Sequence, residues 1–209
     1  MYDGVGQPDE PYRYVSAPAG ARKTAPATSG AATSPVVGGK NSSGMSVQTA
    51  EMGPQASLFV PPQALATTAK QVDVSIAPAA PTTQPARAVI DGNVYAITIE
   101  ASGSAVTLTE QAAIATLYLR STSAAQPGPI MEYRKSSTDP WKQLKTSRGG
   151  TDIYVSSFVG AGDYALAEVA DATKQGSSSP LLFLVIGVGV LLVVVVIVVR
   201  LQSGQSASR

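Results

Sequence analysis

The chain has 209 residues, of which only 14 % are charged, with 15 Lys and Arg against 14 Asp and Glu. This balance lacks the excess of positive charge that nucleic-acid binding requires, so no nucleic-acid partner is expected. The sequence contains no Cys and no His. Disulfides, Cys- or His-ligated zinc sites, Cys nucleophiles and a Ser–His–Asp triad are therefore excluded.

Residues 1–52 are predicted to be a disordered segment. Between residues 16 and 50, 26 of 35 residues are Ala, Gly, Pro, Ser or Thr. We find no hydrophobic period of 2 or 3.6 there, and such a composition buries too little apolar surface to offset the entropy of ordering the chain. Its prolines favour an extended spacer. Just before it, residues 11–15 are interpreted either as an edge strand or simply as a sticky terminus.

Residues 53–170 are predicted to form a small antiparallel β-sandwich, with a small barrel as the alternative. Short β-rich runs alternate with clusters of Pro, Gly, Asn and Asp, and several runs place apolar residues at every second position. We predict strands at 57–60, 72–76, 94–99, 105–109, 114–119, 129–134, 141–144, 153–158 and 164–169. The expected core members are Trp141, Leu144, Ile153, Tyr154, Tyr164 and Leu166.

Two local features of this segment are also predicted. Asp91, Gly92 and Asn93 have the composition of a turn. Residues 152–166 are the most strand-like part of the segment and are predicted to form a terminal hairpin, after which the chain continues towards its C-terminus.

Part of this segment resembles ZU5-type β-domains. The run 58–65, LFVPPQAL, followed by VDVSI at 72–76, is similar to their strand, Pro-Pro-Gly-Ala-Leu, strand pattern, with Gln63 in place of the usual Gly. The run GDYAL at 162–166 resembles their aromatic closing strand. The resemblance implies a structural or interaction domain. Self-cleavage, which some ZU5 proteins perform at a His-containing motif, is not implied for a chain without His.

No catalytic, cofactor or metal site is predicted, and the chain is not expected to be an enzyme. Glycoside hydrolysis requires two carboxylates across a cleft, and the spacing of the acidic residues selects no such pair. Asp91 and Asn93 offer oxygen ligands that suit Ca²⁺, but Asp-Gly-Asn is more typical of a turn.

A mildly basic stretch at 134–148 offers a candidate docking patch for anionic lipid headgroups or an acidic wall polymer. The alternative interpretation is an ordinary solvated strand–loop–strand face, and Glu132 and Asp139 dilute the charge. The candidate patch comprises Tyr133, Arg134, Lys135, Trp141, Lys142, Lys145 and Arg148.

Residues 181–200 are predicted to be a transmembrane helix. The 19 residues from 181 to 199 are all apolar or Gly, and a helix of that length is about 28 Å long, close to the thickness of a bilayer core. Residues 171–180 form a predicted flexible linker, and 201–209 a short polar tail. The residues assigned to the anchor are Leu181, Leu182, Phe183, Leu184, Val185, Ile186, Val190, Leu191, Leu192, Val196, Ile197, Val199 and Arg200.

These elements together predict a single-pass membrane protein that presents a non-catalytic β-domain for binding or scaffolding. Its partners are then the lipid bilayer and another envelope protein or wall polymer. The alternative is an accessory subunit whose transmembrane helix makes the important contacts. Lys174 precedes the span, whereas Arg200 and Arg209 follow it, which favours a cytoplasmic tail and an extracellular β-domain. The chain begins without an apolar signal peptide, which favours the opposite, tail-anchored orientation. The extracellular arrangement is the predicted one, because a low-charge stalk rich in Ser, Thr, Pro and Ala that carries a small β-domain is typical of exported surface proteins.

Overall fold

The computed structural model describes residues 10–124 and 126–169. This part of the chain is mainly β and antiparallel, as predicted. Its one 3₁₀ turn is Glu110–Ile114, capped by the Thr109 side chain, which accepts a hydrogen bond from the Gln111 amide. The strands are β1 Gly30–Val37, β2 Asn41–Ser42, β3 Met45–Gln48, β4 Ala56–Val60, β5 Leu65–Ala66, β6 Gln71–Ala79, β7 Ala88–Glu100, β8 Thr107–Leu108, β9 Thr116–Arg120, β10 Ile130–Arg134, β11 Lys142–Gln143, β12 Ser147–Arg148, β13 Ile153–Ser157 and β14 Gly162–Val169.

The strands belong to two sheets that share one core. The larger sheet has nine strands in the order β11-β10-β14-β7-β6-β1-β2-β5-β8, and the smaller has five in the order β12-β13-β9-β4-β3. Side chains alternate between buried and exposed along β3, β4 and β9, as expected when one face of a sheet is covered. The largest side chains buried in the shared core include Leu58, Ile76, Tyr95, Leu117 and Tyr164.

The prediction of disorder is wrong for the described part of residues 1–52. Strand β1 pairs with β6 over six residues, and β3 pairs with β4 over four. At Gly30, one of the small residues that suggested disorder, close packing excludes a larger residue, because a Cβ there would lie 1.9 Å from the Gln48 carbonyl oxygen. A sequence of small residues therefore forms an inner strand where two chain segments approach closely.

The segment before β1 is also fixed to the domain. The Tyr12 side chain is buried, and its hydroxyl lies 3.0 Å from the Tyr95 hydroxyl and accepts a hydrogen bond from the Asn93 amide. The Asn93 side chain accepts from the Val15 amide at 2.9 Å and donates to the Arg13 carbonyl at 2.8 Å. Residues 12–15 are therefore held by side-chain contacts and are neither an edge strand nor a free terminus.

The turn predicted at Asp91–Gly92–Asn93 is instead an irregularity inside the long strand β7. The register of β7 with β14 shifts here, since Val94 pairs with Ala165 whereas Ile90 pairs with Ala167. Gly92 has φ +91°, and a Cβ there would lie 2.4 Å from the Tyr12 hydroxyl oxygen. Turn-forming residues at this position make a bulge, because a Gly permits both the backbone conformation and the close approach of a ring.

The predicted terminal hairpin at 152–166 is also wrong. Strand β13 pairs with β9 and β12 in the smaller sheet, whereas β14 pairs with β7 and β10 in the larger sheet. The connection is a crossover that the Tyr164 hydroxyl stabilises by accepting from the Val159 and Gly160 amides and donating to the Gly160 carbonyl. Of the predicted core members, Tyr154, Tyr164 and Leu166 are buried in the shared core, Leu144 packs against it, and Trp141 packs on a second apolar cluster. The prediction is wrong for Ile153, which is only partly buried and belongs to neither cluster.

The predicted linker, transmembrane helix and tail at 171–209 lie outside the described residues, as do residues 1–9. Among the residues that the structure does describe, no helix has the length and apolar character needed to cross a membrane.

Candidate binding surfaces

The central residue of the predicted docking patch, Arg134, is an internal structural residue. Its side chain is only 4 % exposed. The guanidinium donates to Asp163 at 2.9 Å, to the Thr83 hydroxyl at 2.6 Å and to the Ser137 carbonyl at 3.1 Å. It also lies over the Trp141 ring, 4.4 Å from the ring centroid. Burial, the ion pair with Asp163 and the bonds from Nη1 fix the Arg134 side chain inside the domain, which leaves little of it exposed to an anionic partner.

The other predicted patch residues do not share one surface. Tyr133 packs against Tyr164 and donates to the Ala161 carbonyl. Lys142 is exposed on β11 in the larger sheet, whereas Arg148 lies on β12 in the smaller sheet and is bound to the carbonyls of Gly150 and Thr151. Lys135 and Lys145 are exposed in loops. The seven residues all lie between positions 133 and 148, but within this stretch the chain crosses from the larger sheet to the smaller one.

A cleft of about 780 Å³ opens beside two of these residues, Tyr133 and Lys135. Its walls come from the end of β7, from the segment containing β8 and from the crossover after β13. Leu108 and Val159 provide half-exposed apolar surface, and Glu100 and Lys135 carry opposite charges on the lining. The cleft is a concave alternative to the flat surfaces described next.

The outer face of the nine-stranded sheet, here called the closed face, carries polar side chains that mostly bond to one another. Ser75 and Thr98 lie directly opposite in the register, and their hydroxyl oxygens are 2.8 Å apart. Thr33 donates to Asp73 at 2.5 Å. Farther along, Trp141 and partly buried alanines cover a small cluster of Ile90, Val94, Ala165 and Ala167. The closed face is defined by Thr33, Asp73, Ser75, Val94, Thr98, Glu100, Glu132, Arg134, Asp163 and Ala165.

The outer face of the five-stranded sheet, here called the open face, has a different composition. Phe59 and Tyr118 point outwards and remain 47 % and 40 % exposed. The register forms two rows across the sheet, each with one aromatic residue: Gln48, Ser57, Tyr118, Val155 and Ser147 in the first, and Ser46, Phe59, Thr116 and Ser157 in the second. Arg120 and Ile153 form a third, short row at one end.

The polar groups of the open face are mostly free. Within residues 10–124 and 126–169, no hydrogen-bond partner is found for the side-chain hydroxyls of Ser46, Ser57, Tyr118, Ser147 and Ser157. The one charged side chain in the rows, Arg120, is paired with Asp152 at 2.7 Å. Sequence analysis missed this surface, although the alternation in 57–60 and 114–119 contained the signal. Phe59 and Tyr118 fall on the side opposite to Leu58 and Leu117.

Burial perturbs several titratable groups, but the described residues assemble no catalytic constellation from them. Burial raises the pKa of Tyr95 to about 12, and it raises the pKa of Tyr12 and of Glu132. Burial also acts to raise the pKa of Glu51, but hydrogen bonds from Thr49 and Thr28 outweigh it and lower that pKa. The tyrosines form an internal hydrogen-bonded pair, and neither carboxyl lines the cleft.

The two residues considered as Ca²⁺ ligands have other partners. Asp91 accepts hydrogen bonds from Ser121 and Thr122, while Asn93 binds the segment at residues 12–15. No group of three or more acidic side chains able to hold a metal ion occurs within residues 10–124 and 126–169.

Comparison with known proteins adds no family assignment. The chain matches no protein-family model, no curated protein and no solved structure. The resemblance of residues 58–65, 72–76 and 162–166 to ZU5-type domains therefore stays a prediction, and the functional argument depends on the surfaces themselves.

Proposed function

We propose that this chain is a single-pass membrane protein whose β-domain, a β-sandwich, is a non-catalytic binding module at the cell surface. The open face is its binding surface. The observation that supports this most directly is the set of exposed aromatic rings and free hydroxyls on one regular sheet face. Exposed apolar surface rimmed by polar groups is typical of interaction sites.

The anchor rests on the sequence of residues 181–199, which has no polar side chain to oppose insertion. Carbonate washing of membranes tests it. The full chain should stay in the pellet, and a variant in which Val190 and Val193 are both replaced by Lys should be released. Release of the unaltered chain would contradict the anchor without affecting the assignment of the open face.

The open face is preferred to the cleft because its rings and most of its hydroxyls are free. In the cleft, the one aromatic hydroxyl, that of Tyr133, already donates to Ala161, and its ring packs on Tyr164. A partner in the cleft would meet mainly Leu108 and Val159 between two opposite charges. The cleft therefore serves as an internal comparison for the experiment.

Photo-crosslinking in cells tests the binding surface. Benzophenone inserts into C–H bonds of proteins and glycans alike, so Tyr118→p-benzoylphenylalanine should give an adduct upon irradiation. The same substitution at Thr98 on the closed face and at Leu108 in the cleft provides matched controls. An adduct at 118 that is absent at 98 and 108 supports the proposal. No adduct at 118, or an equal or stronger adduct at 108, overturns it.

A further inference from the structure

We propose that the open face binds a neutral polysaccharide chain, an inference that rests on the proposed function of this face. A ligand of this kind needs flat apolar contact for the faces of its sugar rings and hydrogen-bonding groups beside them for its hydroxyls. The two rows of the open face provide both.

The charge of the open face indicates an uncharged ligand. Its rows contain no carboxylate, and their one cation, Arg120, is neutralised by Asp152. An anionic polymer would find no free cation there, and a basic peptide would find no free acid. Charge complementarity therefore favours a neutral partner.

The arrangement of the rings matches a chain of sugar residues. Phe59 pairs with Thr116 and Ser57 pairs with Tyr118, so the two rings are diagonal neighbours on adjacent strands. Diagonal residues in an antiparallel pair are about 7–8 Å apart, a spacing that lets each ring contact a different sugar of one chain. The negative face of an aromatic ring attracts the partly positive C–H groups of a sugar face.

The hydroxyls explain why a polysaccharide is favoured over a second copy of this chain. Interfaces between copies are enriched in apolar side chains at their centre. In the two main rows, polar residues outnumber apolar ones, and serines flank both rings on neighbouring strands. Free hydroxyls and an amide, from Gln48, can donate to and accept from sugar hydroxyls.

Biolayer interferometry with the full chain tests the inference directly. The protein is immobilised through a C-terminal tag in lauryldimethylamine oxide, because detergents with sugar headgroups would compete. The probes are dextran, guar galactomannan, laminarin, hydroxyethyl cellulose and arabinogalactan, with alginate and polygalacturonate as anionic comparisons. We expect at least one neutral polysaccharide to bind, and its binding to persist in about 0.5 M NaCl, because no ion pair contributes.

Variants assign that binding to the open face. Phe59→Ala combined with Tyr118→Ala should weaken it by about tenfold or more. Tyr118→Phe, which keeps the ring, should weaken it much less, and Leu108→Ala in the cleft should leave it unchanged. The thermal unfolding midpoint of each variant shows whether the fold is retained.

Several results would overturn the inference: no neutral probe bound by the wild-type chain, binding abolished by salt, or equal binding by the double variant. A crosslinked adduct at position 118 with the mass of a discrete protein or of a second copy would also overturn it. That last result would leave the proposed binding function of the open face intact, so the two failures are distinguishable.

Discussion

Both outer faces of this domain belong to antiparallel sheets, but they differ in whether their polar side chains are bonded to one another. On the closed face, hydroxyls, carboxylates and Arg134 bond to one another, and Trp141 covers an apolar cluster. On the open face, two aromatic rings point outwards, and most of the hydroxyls beside them have no partner among the described residues. The comparison teaches that residues of the same types stabilise the fold where they are paired with each other, and offer a binding surface where they are not.

The largest expected effect comes from Arg134→Ala on the closed face. The substitution leaves Asp163 without its cation and removes the group packed on Trp141. Breaking a buried pair by removing one partner costs about 3–5 kcal/mol, and because Asp163 is partly exposed we expect a loss of about 3 kcal/mol. Urea unfolding measures it. The neighbouring Lys135→Ala should change stability by less than about 0.5 kcal/mol, and equal effects of the two variants would contradict the assignment of Arg134.

A pair of Tyr→Phe substitutions compares a hydrogen-bonded hydroxyl with one that has no partner. Tyr164→Phe deprives the Val159 and Gly160 amides and the Gly160 carbonyl of their partner, which should cost about 2 kcal/mol. Tyr118→Phe removes a hydroxyl that has no partner in the described part of the chain, and it should cost less than about 0.5 kcal/mol. Urea unfolding of both variants gives the two free energies of unfolding, whose difference shows whether the Tyr164 hydroxyl contributes more to stability than the Tyr118 hydroxyl. Similar values would mean that the hydroxyls of the two regions do not differ as described.

Asn93→Ala tests whether the segment at residues 12–15 belongs to the fold. The amide side chain links this segment to the bulge of β7 through the Val15 amide and the Arg13 carbonyl. Its loss should cost about 1 kcal/mol and should accelerate amide hydrogen exchange at Val15. Thr33→Ala, which removes one exposed bond on the closed face, is the control. Unchanged exchange at Val15 would show that the segment is held by something else.

The smallest predicted effect is a pH dependence at Glu132 on the closed face. Burial raises its pKa above the ordinary value of 4.5, so the folded state favours the protonated carboxyl. The stability from Glu132 is therefore fully present below about pH 4.5 and is lost as the pH rises through the higher folded-state pKa. Glu132→Gln should remove this loss. The stability of the variant relative to that of wild type should therefore be higher at pH 7 than at pH 4. Unfolding in urea at both pH values measures the difference, and parallel profiles would refute the burial effect.

The sequence was sufficient to predict the fold class but not the limits of the domain. Period-2 patterns located most of the long strands, because one face of each is buried. In β1 the alternation of apolar and polar residues is missing from the sequence, because the inward-facing positions hold small residues such as Ala32, which is partly buried, and Ser34, which is buried. Composition alone does not show whether a run of small residues is disordered or packs closely, as the chain does at Gly30.

The candidate surfaces were harder to predict because they depend on which sheet a strand joins. Tyr133 and Arg148 are close in sequence but belong to different sheets. Conversely, Phe59 and Tyr118 are 59 residues apart in the chain and meet only through the β4–β9 register. A local cluster of positive charge was visible in the sequence, whereas a nonlocal cluster of rings and hydroxyls was not.

One measurement tests the central claim that polar groups bonded inside the domain stabilise the fold, whereas the open face binds. Unfolding free energy and polysaccharide binding are measured on Tyr164→Phe and on the Phe59→Ala, Tyr118→Ala double variant, each in the full chain. The account predicts that each variant loses one of the two properties and keeps the other. Tyr164→Phe loses stability and keeps binding at temperatures where it is folded, whereas the double variant loses binding by about tenfold or more and stays folded. Loss of binding in Tyr164→Phe together with unchanged binding in the double variant would contradict it.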